Sequence, residues 1–177
     1  LIAQAPNALE IVYESLMNCM KNHDYLEENK QEIYQRVGSV MNTYYVVVPR
    51  NQMQQSLTPQ GGNGLKFISK HGYVGLAVEQ KEYIVEGMNE KGLAAGLFYF
   101  PNYGKYQPFD EGEKDKCLSD FQVVAYVLGE CATIDEVKEV LQKVRIINID
   151  PRSSTVHWRF TEPSGRQIVL EIVDEKL

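Results

Sequence analysis

The side chains in this sequence that could do covalent or metal chemistry are few. Three cysteines, Cys19, Cys117 and Cys131, form no CxxC pair. An odd, unpaired set fits neither a disulfide scaffold nor a zinc site and reads as free thiols. Of the three histidines, His23 and His71 lie in turns, and no carboxylate or thiolate cluster joins them into a metal centre. His157 sits beside Trp158 on a predicted strand with apolar neighbours and no Ser or Cys partner at a recognisable spacing, so it reads as a packed core residue. "GGNG" at 61–64 is followed by no helix and is a connector rather than a phosphate loop. No metal and no cofactor is expected.

Composition narrows the classes further. At 177 residues the chain suits one domain with a real core. Its apolar content of 44%, charged content of 24% and eleven tyrosines are those of a globular protein. The formal net charge of −6, with Lys and Arg scattered, leaves no footprint for nucleic acid. No apolar run reaches the roughly 18 residues of a membrane span. "LIAQAP" is too short an apolar stretch for a signal peptide, so any export signal would lie upstream. The compartment stays open between cytoplasm and periplasm or outside.

The elements that would position these side chains fall into two parts. Asn7 with Glu10 makes an N-cap pair ahead of Leu9, Val12, Leu16 and Met20, which predicts an amphipathic helix over 8–21. A mostly polar helix over 25–37 follows, ending near Gly38. The period then changes. "TYYVVVP" (43–49) is a strand, and "NQMQQSLTPQGGNG" is a long loop. "LKFIS" and "YVGLAVE" read as strands across a "KHG" turn, and "YIVEG" pairs with "LAAGLFYF" across "MNEKG". Residues 101–117 form a surface excursion. Ser119 with Gln122 and Thr133 with Glu136 are capping boxes, each opening a helix with one core-facing stripe. "VRIINI", "TVHWRFT" and "RQIVLEIV" are strands, the last two joined by the "EPSG" turn. About seven strands and four helices give an α+β fold with helices packed on antiparallel sheet. In "MNEKG", Asn89 and Gly92 are read as residues that tolerate positive φ, and Gly96 as a point where a strand or ligand approaches the backbone.

"GMNEKGLAAGLFYFP" (87–101) resembles the equivalent hairpin of the choloylglycine hydrolase family, the bacterial conjugated bile acid hydrolases and penicillin V acylases among the N-terminal nucleophile (Ntn) hydrolases. "YYVVVPRN" (44–51), "ISKHGYVG" (68–75), "LGECATIDEVKEVL" (128–141) and "STVHWRFTEPSGRQIVLE" (154–171) are similar to further family segments, in family order over about 43–177. The resemblance implies an αββα sandwich of antiparallel sheets with flanking helices, partial here and preceded by a helical segment. It divides the chain into residues 1–41, a helical segment outside the resemblance, and 42–177, a partial hydrolase-like domain. It also implies cleavage of linear amides by a cysteine whose own α-amino group is the base, helped by Arg and Asp. A backbone N–H and an Asn side chain hold the oxyanion.

Carried over by position, Tyr99 falls where the family has a residue on the oxyanion and substrate side, and a tyrosine there resembles the penicillin V acylase type. Residue 1 is Leu, not Cys. Cys19 precedes Arg36 by 36 − 19 = 17 positions, near the family's spacing of nucleophile and arginine. Against that pairing, the intervening residues are helical in composition, and Ser39 stands where a carboxylate should follow. A helix cysteine is the competing reading of Cys19. The sequence stops at "VDEKL", ahead of the family's oxyanion asparagine. The expectation is a linear-amide hydrolase fold incomplete for catalysis on its own, or a non-catalytic binding or assembly module derived from one. Its partners would be a small-molecule amide and further copies of the chain, because "RQIVLEIV" is left as an apolar edge.

Overall fold

The computed structural model describes residues 2–4, 42–150 and 155–176. The helices expected over 8–21 and 25–37, and with them Cys19 and Arg36, lie outside the described residues. Ile2–Gln4 is a strand, β1. The strands that follow are β2 (Thr43–Val48), β3 (Met53–Gln55), β4 (Lys66–Ile68), β5 (Tyr73–Val78), β6 (Ile84–Asn89), β7 (Ala94–Tyr99), β8 (Cys117–Ser119), β9 (Arg145–Ile147), β10 (Val156–Thr161) and β11 (Gln167–Leu170). Two helices, α1 (Val123–Glu130) and α2 (Ile134–Leu141), lie between β8 and β9. Seven strands form one antiparallel sheet in the order β1-β2-β5-β6-β7-β10-β11. β3 pairs with β4, and β8 with β9 in parallel.

Alternation along the strands sorts the sheet into two faces. Val46, Tyr73, Ala77, Ile84, Trp158 and Phe160 point into the core beneath the helices. Tyr45, Val47, Val74, Met88, Phe98 and Val169 run across the opposite face, each about half exposed. Among the described residues the helices cover one face and no layer covers the other. This is an α+β arrangement amounting to one sheet-and-helix half of a layered sandwich.

α1 departs from the expected single stripe: Val123 to Gly129 are all buried. The helix packs between β4 and the central strands β6 and β7. Its close seat comes from the cross-strand pair Gly75 and Gly87; a Cβ on Gly87 would lie 2.5 Å from Val74 O and 2.9 Å from the Leu128 side chain. α2 keeps the expected pattern, burying Ile134, Val137 and Leu141. Thr133 Oγ1 accepts from Glu136 N at 3.3 Å, and Glu136 reaches back to Ala132 N at 2.6 Å. Glu162, from the β10–β11 turn, adds a second cap by accepting from Ile134 N at 2.8 Å, which holds its carboxyl below the usual range. The other capping box is half made. Ser119 Oγ accepts from Phe121 N, while Gln122 turns instead to Leu57 N, 2.7 Å away.

Four local readings change. β4 pairs with β3, drawn from what reads as loop, and β5 lies between β2 and β6. "GGNG" belongs to a hydrogen-bonded turn in which Thr58 and Gly61 exchange backbone bonds. Gly92 does take positive φ, +82°, with Pro163 of the neighbouring turn against it, but Asn89 is ordinary strand backbone. What fills the space over Gly96 is the ring of Phe98, 3.1 Å from where a Cβ would be. Within the described residues no helix is long and apolar enough to cross a membrane.

Candidate functional site

Tyr99 ends β7, and the strand alternation that buries Leu93 and Ala95 has by then run past the helical layer. Its side chain is 72% exposed. The segment just after it is fixed from β10. Phe100 N donates to Thr155 O at 2.9 Å, and Thr155 Oγ1 donates back to Phe100 O at 2.6 Å. The Phe100 ring stacks on His157 with centroids 4.8 Å apart and planes 12° from parallel. Tyr103 leans on Phe100 at 5.6 Å, and Phe98 meets His157 edge-on at 5.9 Å. On its far side His157 Nδ1 faces Glu171 Oε1 at 3.2 Å.

His157 is therefore a correction. It is half-buried on the open face of the sheet and paired with a carboxylate, while its neighbour Trp158 is the core residue. Odd and even positions of one strand face opposite sides, so the apolar neighbours that suggested a core histidine lie on the other face. The Thr155, His157 and Glu171 clamp carries no sequence signal, since its members are brought together only by the β7–β10–β11 pairing.

An exposed phenol at a strand end can donate a hydrogen bond and pack against an apolar group. It cannot supply a nucleophile. Thr155 Oγ1 is committed to Phe100 O, and the two described cysteines are buried. Burial pushes the Cys117 thiol up, and burial with the nearby Glu136 and Glu130 pushes Cys131 up to about 12. A reactive thiol needs the opposite shift. No group of three or more His, Cys, Asp or Glu among the described residues could hold a metal. Of the residues singled out from the sequence, the structure places Tyr99; it neither joins nor separates Cys19 and Arg36.

A cleft of about 570 Å³ lies at the other edge of the sheet, between β2, β3 and the β5–β6 loop. Gln54, Gln80, Gln122 and Tyr73 line it beside Val46 and Leu57. Tyr73 donates to Gln54 Oε1 at 3.2 Å, and burial raises its phenol to about 12. Tyr99 does not line this cleft, which is walled by amides and offers no activated group.

Comparison with known proteins adds four findings. A family model described as linear amide C–N hydrolases, choloylglycine hydrolase family, matches residues 9–177. A bile salt hydrolase/transferase of Clostridium perfringens is 29% identical over 143 residues, covering 77% of this chain and 42% of the relative. A second, from Lactiplantibacillus plantarum, is 28% identical over 110 residues, 59% of this chain and 33% of that one. Penicillin V acylase from Agrobacterium tumefaciens superposes with a TM-score of 0.62 at 30% identity, covering 76% of this chain and 39% of the other. The chain thus spans less than half the length of the relatives it matches.

Proposed function

This chain belongs to the choloylglycine hydrolase family of linear amide C–N hydrolases, and from that premise we propose that it forms the substrate-side wall of such a site without being able to hydrolyse an amide alone. Support comes from Tyr99: an exposed phenol at the end of β7, where the next residue's backbone is bonded to Thr155, with no activated thiol among the described residues. The substrate would be a small linear amide, a conjugated bile acid or penicillin V, whose amide oxygen the Tyr99 phenol faces. Cys19 and Arg36 keep the place of nucleophile and supporting arginine only if the chain is cut before Cys19. A second reading, an assembly module, is favoured by the apolar sheet face that no layer covers among the described residues.

The wall is tested by adding penicillin V or glycocholate, at millimolar concentration, to labelled protein and following backbone amide shifts. Half a pocket binds weakly, with affinity on the order of millimolar. Shifts should concentrate at 96–100 and 155–157 and be lost in Tyr99→Ala. Shifts confined to the glutamine-lined cleft, or none at all, would count against the assignment of Tyr99.

A further inference from the structure

We propose that His157 is the positioning residue for Tyr99: its ring ties together the two residues that flank Tyr99 in the chain and so fixes where the phenol meets the substrate. The inference rests on the reading of Tyr99 as a substrate-side residue and adds what holds it in place. The β7–β10 register sets Phe98 opposite His157 and Tyr99 opposite Val156. The pair Trp158 with Leu170, carried one residue further, brings Glu171 beside His157 from just past β11. His157 is therefore the middle of a row that crosses three strands. Phe98 meets it edge-on with centroids 5.9 Å apart, and Glu171 Oε1 lies 3.2 Å from its Nδ1 on the other side.

Phe100 joins this row by strand alternation. Two residues beyond Phe98, it returns to the same side of the chain, and its ring lies on the imidazole at 4.8 Å and 12° from parallel. Among the described residues no other ring meets both Phe98 and Phe100. Thr155 holds the Phe100 peptide with two hydrogen bonds, but these bonds sit at the end of β7, where a strand opens most readily. An edge contact before Tyr99 and a stack after it remove that freedom. A twist of the chain that moves the phenol must shift Phe98 or Phe100 against one imidazole. Glu171, by facing Nδ1, sets the plane of the ring on which Phe100 packs. A donor that is to meet an amide oxygen needs such a hold, because a hydrogen bond weakens steeply with misalignment.

The test compares His157→Leu with His157→Phe in labelled protein. Leucine keeps an apolar side chain on the sheet, so the variant should fold, but it removes the ring; phenylalanine restores a ring face without Nδ1. In His157→Leu the Phe100 amide, which donates to Thr155 O, should exchange with solvent about three- to tenfold faster, the size of effect that an aromatic pair supports. Amides of β5 and β6 should be unchanged, and the penicillin V concentration at the midpoint of the Tyr99 shifts should rise about threefold or more. His157→Phe should bring both close to native. Unchanged exchange at Phe100, or faster exchange shared by every amide of the sheet, would overturn the proposal and reduce His157 to a contributor to stability. Faster Phe100 exchange in a protein whose native form shows no penicillin V shifts at Tyr99 would support the hold on the strand end and overturn instead the reading of Tyr99 as a substrate wall.

Discussion

Asn89→Ala is expected to lower stability by about 3–5 kcal/mol, enough to unfold much of a marginally stable domain. The Asn89 side chain is 4% exposed and makes four hydrogen bonds. Its Oδ1 accepts from Lys91 N and Leu93 N at 3.0 and 3.1 Å, closing the β6–β7 turn. Its Nδ2 donates to Leu128 O at 2.9 Å and Cys131 O at 2.6 Å, two carbonyls at the C-terminal end of α1. Alanine would strand four backbone groups at once, three of them in buried bonds, each of those worth about 1 kcal/mol or more. Asn89→Asp keeps the acceptor but sets a carboxylate against two carbonyl oxygens, so it should be at least as damaging at neutral pH and recover as the acid is protonated. Urea unfolding at pH 7 and pH 4 measures both. A loss under 1 kcal/mol for alanine would mean that the turn and helix do not share this residue.

Asp120→Asn is expected to stabilise the protein above pH 7 and to flatten its stability between about pH 4 and pH 7. Asp120 is fully buried in the 3-10 turn before α1. Its Oδ1 accepts from Phe121 N at 3.0 Å and from Ser119 Oγ at 3.4 Å, but among the described residues Oδ2 has no partner. Burial raises its pKa to about 7, and Tyr83, its phenol raised chiefly by burial, lies near enough to feel the charge. The sign follows from the raised folded-state value: stability from this group is complete below the unfolded pKa of about 4 and falls as pH rises through about 7. Three units at 1.36 kcal/mol each bound that loss at about 4 kcal/mol. Asparagine keeps the bond from Phe121 N without the charge, at the cost of an unmet N–H. Thermal unfolding of both forms from pH 4 to pH 8 should give diverging curves; parallel curves would show that the carboxyl is solvated or partnered.

Much of this fold can be read in the sequence where local chemistry decides it. The "MNEKG" and "EPSG" turns and the Thr133 cap lie where their residues demand. Among the described residues β11 is an outer strand of the seven-stranded sheet. Features set by contact across the sheet were hidden. Asn89 has the composition of a turn residue, and only the approach of α1 makes it a helix cap. Gly75 and Gly87 are unremarkable until their strands pair beneath Leu128. The burial of Asp120 has no sequence signal, and beside it the Tyr83 ring from the β5–β6 loop meets the Phe121 ring at 5.3 Å. Tyr99, the proposed substrate-side residue, was reachable only through the family resemblance, because an exposed aromatic at a strand end has no periodic signature. The clamp behind it required the register of three strands.

Amine release from glycocholate, with penicillin V cleavage in parallel and intact mass recorded on the same sample, puts the catalytic question to the purified chain. The described thiols are buried with raised pKa values, the opposite of what an attacking thiolate needs. The expected result is a rate equal to buffer, a mass that retains residues 1–18, and alkylation of Cys19 no faster than an ordinary free thiol. Steady turnover by a species beginning at Cys19, with rapid stoichiometric labelling of that thiol, would show that the chain carries its own nucleophile and contradict its role as a wall without chemistry.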